Sequence, residues 1–281
     1  VDVGLGQQLF RAFRPSIELR GDREFKYHID FERLYVTSDT GAIVVSRPTN
    51  PTGNVLTDTE ISKLRELANA NHIPLIIDSA YGGPFPNIVF PQVATVWDEN
   101  IIICLSLSKL GLPGLRTGIV VAHEKVIRAV TAANAILSLA PGSAGPGLVS
   151  DMVGDRSILD LSDNVIRPYY RQRVKQAVSW VNTALEGYPC RVHTPEGAIF
   201  LWLWFEGLPI TSEKLYQRLK SRGVLVIAGE HFFPGLEGEW GHRHECIRIS
   251  YAQDPASVEA GIHIIGEEVA RAYDSAKAKS V

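Results

Sequence analysis

The chain reads as an α/β protein, a mostly parallel sheet flanked by helices, followed by a smaller α+β C-terminal domain. Three observations predict this. Short apolar runs alternate with helical patterns through the first half, the pattern of βαβ units. Several of those runs, such as 101–106 (IIICLS), read as buried strands. Beyond residue 157 the order changes to a long helix, then strand, helix, two short strands and helix, which suits a separate α+β unit. The division is drawn at residues 1–155 and 156–281.

The elements follow in order. Residues 42–46 (AIVVS) form a strand and run into the turn-rich 48–53 (PTNPTG). A helix is expected from Asp58 to about Asn71, because Thr57 and Glu60 have capping-box spacing and Ile61, Leu64, Leu67 and Ala68 form one apolar stripe. Residues 74–78 (PLIID) are the next strand, and 101–106 and 118–122 (GIVVA) are two more buried strands. A helix from Glu124 to Leu139 closes at Pro141 and Gly142. The long helical pattern of 157–185 should be kinked by Pro168. Residues 197–205 then form a strand, 211–221 a helix, and a last helix starts at Pro255.

Composition narrows the function classes. Of 281 residues, 45% are hydrophobic and 21% charged, as in soluble globular proteins. With 28 basic against 31 acidic residues the net charge is -3, which argues against nucleic acid as a partner. No apolar run approaches the roughly 18 residues that cross a bilayer. Cys104, Cys190 and Cys246 are odd in number and widely spaced, so a reducing cytoplasm is expected rather than a disulfide framework. The N-terminus lacks both Met and a signal pattern, and the large domain is expected to be incomplete at that end.

Asn50, Asp78, Lys109 and Arg116 all fall at the edges of predicted strands, where open α/β sheets bind ligands. Each alone is weak: most Asn-Pro-Thr-Gly turns are only turns, and most lysines after strands are solvated. Their types and order together carry the signal. Residues 46–53 (SRPTNPTG), 78–81 (DSAY), 106–109 (SLSK) with 114–116 (GLR), and 247–251 (IRISY) resemble the motifs of the aspartate-aminotransferase superfamily of pyridoxal-phosphate (PLP) enzymes. The likeness covers nearly the whole chain in the family's order.

That resemblance implies the PLP-dependent transferase fold, pyridoxal 5'-phosphate as cofactor, and transamination. It implies Lys109 as the lysine that holds the cofactor through an imine and then moves the Cα proton. Asp78 would keep the ring nitrogen protonated, and Asn50 and Tyr81 would bond the ring's phenolic oxygen. Ser106, Ser108 and Arg116 would hold the phosphate, although Arg116 follows Lys109 by seven residues where many relatives have eight. Arg248, with Asn50, would take the substrate carboxylate. The family's upstream phosphate-binding turn and ring-stacking aromatic residue are not found in the chain. Further motifs, 25–28 (FKYH), 108–114 (SKLGLPG), 195–205 (PEGAIFLWLWF) and 231–235 (HFFPG), resemble a branch acting on valine or alanine with pyruvate or 2-oxoisovalerate. A homodimer is also implied, and neither a metal nor a membrane is.

The same motifs would serve a Cβ–S lyase, another PLP reaction, or a non-enzymatic PLP-binding regulatory domain. Most of 197–205 reads as core. His242, His244 and Cys246 alternate as metal ligands can, but a polar loop entering the Arg248 strand explains them better. Cys104 reads as a small core residue, and Arg167, Arg171, Arg173 and Lys175 read as a solvated helix face.

Overall fold

The computed structural model describes residues 9–278. A hairpin of β1 (Ser16–Arg20) and β2 (Glu24–His28) comes first, followed by β3 (Ile43–Ser46), α1 (Asp58–Ala70), β4 (Leu75–Asp78), β5 (Ile101–Ser106) and β6 (Gly118–Val121). The helices α2 (Glu124–Ser138), α3 (Ala144–Gly154), α4 (Ser157–Leu161) and α5 (Arg167–Ala184) lead on to β7 (Cys190–His193), β8 (Phe200–Phe205) and α6 (Ser212–Ser221). The chain then forms β9 (Ile227–Ala228), β10 (Cys246–Ser250) and α7 (Pro255–Lys277).

Two sheets result. The first has the order β3-β4-β5-β6, with β3, β4 and β5 parallel and β6 antiparallel to β5. α1 closes one face of it. Thr57 caps the helix through the predicted capping box, and Ile61, Leu64 and Ala68 pack on Leu75, Ile77 and Ile101. Each of these leucines and isoleucines contributes about 1.5–3 kcal/mol on burial. β6 departs from the expected buried strand: it is the edge strand of this sheet, and Val120 and Val121 are 36% and 41% exposed.

The second sheet has the order β1-β2-β7-β8-β10-β9. It draws on both ends of the chain. The β1–β2 hairpin lies early in the chain, yet β2 pairs in parallel with β7. The hairpin and β7 went unread in the sequence, since neither has a long apolar run. On β8, Leu201, Leu203 and Phe205 pack with α5, α6 and α7 in the largest core. Phe200 and Trp202 face the other way, so the strand is apolar on both faces.

The long helical pattern is broken as Pro168 requires. Proline cannot donate to the preceding turn, and a π-helical turn, Ser162–Ile166, separates α4 from α5. The reading of α5 as a solvated basic face fails at Arg173. That side chain is buried and donates to the carbonyls of Tyr251 and Gln253, tying α5 to the segment after β10.

Candidate functional site

The carboxyl ends of β3, β4 and β5 lie side by side, with Ser46 opposite Asp78 and Asp78 opposite Cys104. Three loops therefore open at one edge. Asp78 ends β4 half-buried, and its carboxylate is fixed at both oxygens. Oδ1 accepts the Ala80 N–H at 3.0 Å, and Oδ2 accepts the Ser46 hydroxyl at 3.3 Å. Cys104 is half-buried here rather than in the core, and burial, reinforced by the Asp78 charge, raises its thiol pKa.

Tyr81 follows on the same loop and is buried. Burial raises its hydroxyl to about pKa 12, with Arg248 opposing and Asp78 assisting, so the phenol stays protonated at neutral pH. Lys109 comes from the next strand. After β5 the chain makes a 3-10 turn, Leu107–Lys109, capped by the Ser106 hydroxyl, which accepts the Ser108 N–H at 3.2 Å. Buried Leu107 anchors this turn, and Lys109 Nζ lies 5.2 Å from the centroid of the Tyr81 ring.

Arg248 arrives from the other sheet. It lies opposite Trp202 across the β8–β10 ladder and so shares a face with Phe200 and Trp202. Its guanidinium sits 4.2 Å from the Phe200 centroid and 5.0 Å from that of Phe232, and donates to Asn50 Oδ1 at 2.6 Å. Burial lowers its pKa, but a guanidinium remains cationic at physiological pH. The loop carrying Asn50 is closed on itself by Thr49 N–H to Asn54 O and Gly53 N–H to Thr49 O, both 2.8 Å. Gly53 adopts φ +70°, and a Cβ there would stand 2.6 Å from Gly197 O.

Asn50, Asp78, Tyr81, Lys109 and Arg248 thus converge through direct or shared neighbours, and Phe200 links Tyr81 (5.8 Å between centroids) to Arg248. Ser106 and Ser108 lie in the Lys109 turn. Arg116 is near that turn in backbone, since Leu107 N–H bonds Thr117 O at 3.1 Å. Its side chain is exposed and bonds Pro113 O at 3.4 Å, and its backbone is left-handed at φ 48°. Sequence reasoning missed Phe200, read as core, and Phe232, quoted in 231–235 without a role. Neither lies near Arg248 in the sequence, so no local pattern marked them.

Among the side chains discounted as metal ligands, His242 is buried beside Tyr27 and stacked on Trp240 at 4.6 Å, while His244 pairs with Glu230 at 2.5 Å.

The family model that matches the chain is Aminotransferase class I and II, over residues 16–265. A relative from Escherichia coli K12 named valine–pyruvate aminotransferase is 53% identical over 97% of the chain and 65% of its own length. A solved valine–pyruvate aminotransferase from Salmonella typhimurium LT2 superposes with TM-score 0.92 at 53% identity, covering 95% of this chain and 69% of that one. A putative amino-acid aminotransferase from Psychrobacter arcticum 273-4 superposes with TM-score 0.90 at 48% identity, over 94% and 63%. The chain therefore spans about two thirds of the length of these proteins, 65% for the Escherichia coli relative.

Proposed function

Because the chain belongs to the aminotransferase class I and II family, we propose that the protein is a pyridoxal-phosphate-dependent transaminase. It exchanges an amino group between a small aliphatic amino acid (valine or alanine) and a 2-oxo acid (pyruvate or 2-oxoisovalerate). The observation that carries this reading is the convergence of Lys109, Tyr81 and Asp78 at strand ends with Arg248 and Asn50 from the facing side. The substrate pair is supported by the 53% identical relative that bears the valine–pyruvate name.

The donor set fits the cofactor chemically. There is an amine for its aldehyde, a carboxylate for its ring nitrogen, a phenol and an amide for its phenolic oxygen, and hydroxyls with a guanidinium for its phosphate. Bound PLP supplies an electron-withdrawing ring that stabilises negative charge at the substrate Cα. The chain's residues do the rest. Asp78, held by Ser46 and Ala80, keeps a proton on the ring nitrogen. Tyr81, protonated with a pKa of about 12, donates from its hydroxyl. Arg248 and Asn50 grip the substrate carboxylate and so fix which face of Cα meets the lysine. Lys109 Nζ would be the base that holds and moves the proton taken from the substrate Cα. In the phosphate role, Arg116 would have to leave the Pro113 carbonyl, whereas Ser106 and Ser108 are already in the Lys109 turn.

The same reading includes a homodimer and a cytoplasmic location. Ile136, Leu137 and Leu139 at the end of α2 are 84–88% exposed, an apolar patch that a second copy would cover. No helix of the described residues is long and apolar enough to cross a membrane.

The test is an absorbance spectrum of the PLP-loaded protein before and after L-valine, beside Lys109→Ala. The expected result is a lysine-linked cofactor band that shifts to the aminated cofactor with valine and is missing in the variant. A band indifferent to both valine and alanine would reject transamination, and no band in the wild type would reject the cofactor as well.

A further inference from the structure

Lys26 on β2 is 2% exposed, among the most deeply buried charges of the described residues, and it lies outside the catalytic constellation. Its ammonium is ion-paired with Glu196 and donates to Val55 O at 3.0 Å. The same Glu196 oxygen accepts the Val55 N–H at 3.0 Å. One ion pair thus holds both polar groups of a single backbone residue. Beside it, Asn54 Nδ2 donates to Tyr27 O at 3.1 Å, and Arg20 approaches the other Glu196 oxygen at 3.8 Å.

Residues 54 and 55 end the closed loop that presents Asn50. Thr49 is bonded to both Asn54 and Gly53, so the loop moves as one piece. Fixing Asn54 and Val55 therefore fixes the position from which Asn50 Oδ1 receives Arg248 at 2.6 Å. A buried ion pair is a poor source of stability, since apolar residues of equal volume often do as well or better. Its directional bonds supply what apolar residues cannot, namely registration of a backbone segment.

We propose that Lys26 and Glu196 are positioning residues for substrate recognition, acting through Val55 and Asn50 to set the geometry in which Arg248 takes a carboxylate. The proposal rests on the reading of Arg248 and Asn50 as the carboxylate site. It gives the β1–β2 hairpin a task in the site, since β2 supplies both Lys26 and the Tyr27 carbonyl.

The test is the affinity of the PLP-loaded protein for isovalerate, a branched monocarboxylate without an amino group, measured by tryptophan fluorescence. Lys26→Met/Glu196→Leu removes both charges together; it leaves the Val55 N–H and carbonyl without these partners, so a lower unfolding midpoint is expected while the cofactor band persists. Its isovalerate Kd should rise by about 10- to 100-fold, the cost of sub-ångström to ångström misplacement. KM for valine should rise with it while kcat at saturation holds. Glu196→Gln, which retains an acceptor for the Val55 N–H, serves if the double variant does not fold, and should raise Kd in the same direction. Arg248→Lys is the reference. If it weakens isovalerate and both pair variants bind within about twofold of wild type, the pair is merely structural and the proposal is overturned. If Arg248→Lys also binds normally, the carboxylate reading itself fails, and the proposal falls with it.

Discussion

Two buried histidines should make the packing around the six-stranded sheet acid-sensitive. His193 is fully buried; its Nε2 lies 3.1 Å from the Tyr27 N–H and its Nδ1 lies 3.0 Å from Thr194 O. Only a neutral ring protonated at Nδ1 satisfies both partners, because protonating Nε2 would set it against an N–H. Burial, aided by the Lys26 charge, holds His193 down at about pKa 3, and burial holds His242 at about 4. The unfolded chain takes up these protons near pH 6.5. The native state therefore has its full advantage above pH 6.5 and loses it as pH falls towards 4. Between pH 7 and 5 the loss is about 2 kcal/mol per histidine, or about 4 kcal/mol together. That is a large share of the roughly 5–15 kcal/mol that holds a domain folded. Urea unfolding followed by tryptophan fluorescence at both pH values tests it, since Trp204 and Trp240 contact His242. His193→Gln, whose amide oxygen can still accept the Tyr27 N–H, should lose about 2 kcal/mol less than wild type over that interval. An equal loss in variant and wild type would refute the argument that His193 refuses its proton.

Other expectations are simpler. Arg248→Lys replaces a planar fork with a point charge, and should raise KM for valine roughly 10- to 100-fold in steady-state assays while the cofactor band persists. Gly53→Ala puts a Cβ 2.6 Å from Gly197 O at φ +70°, so a loss of about 1–3 kcal/mol is expected in urea unfolding, together with weaker isovalerate binding. Thr57→Ala breaks the capping box of α1 and should cost about 1 kcal/mol in the same unfolding assay without moving the cofactor spectrum.

What could be read from the sequence was whatever local chemistry decides. The capping box at Thr57 and Glu60 needs only residues three apart, and it is formed as expected. The Pro168 break follows from one missing N–H. The residues placed at strand ends lay where βαβ units bring them, and Asp78, Tyr81 and Lys109 meet there. Long-range pairing was not legible. β2 is short, with a lysine between two aromatics, which suggests one exposed face. Its partner, the Glu196 carboxylate, lies 170 residues away and allows that lysine to be buried. Arg173 misled for the same reason: its acceptors are backbone carbonyls at 251 and 253, which no helix pattern reveals. Arg116 shows the converse. Motif spacing brought it near the Lys109 turn, but a left-handed backbone and a local carbonyl decide where its side chain rests.

The candidate site lies at a seam between the two sheets, and the seam is closely packed. A Cβ at Gly53 would meet Gly197 O at 2.6 Å, and one at Gly197 would meet Ile88 O at 2.6 Å and the Pro48 ring at 2.9 Å. Val89 bridges to Gly197, and Phe90 N–H bonds Glu196 O at 2.8 Å. The Asn50 loop, the segment after Tyr81 and the entry to β8 are thus stacked closely, mostly backbone on backbone, with the Pro48 ring against Gly197. Phe200 leaves this stack four residues after Glu196 and covers the Arg248 guanidinium. The distance from Asn50 to Arg248 is therefore set by this main-chain packing together with the Lys26–Glu196 bonds that hold Val55. On the proposed reading of Arg248 and Asn50 as the carboxylate site, such a site would select for the length between the carboxylate and the reacting carbon. It leaves discrimination among small aliphatic side chains to contacts worth about 1–3 kcal/mol per methylene. Overlapping use of valine and alanine is the behaviour expected of such a site.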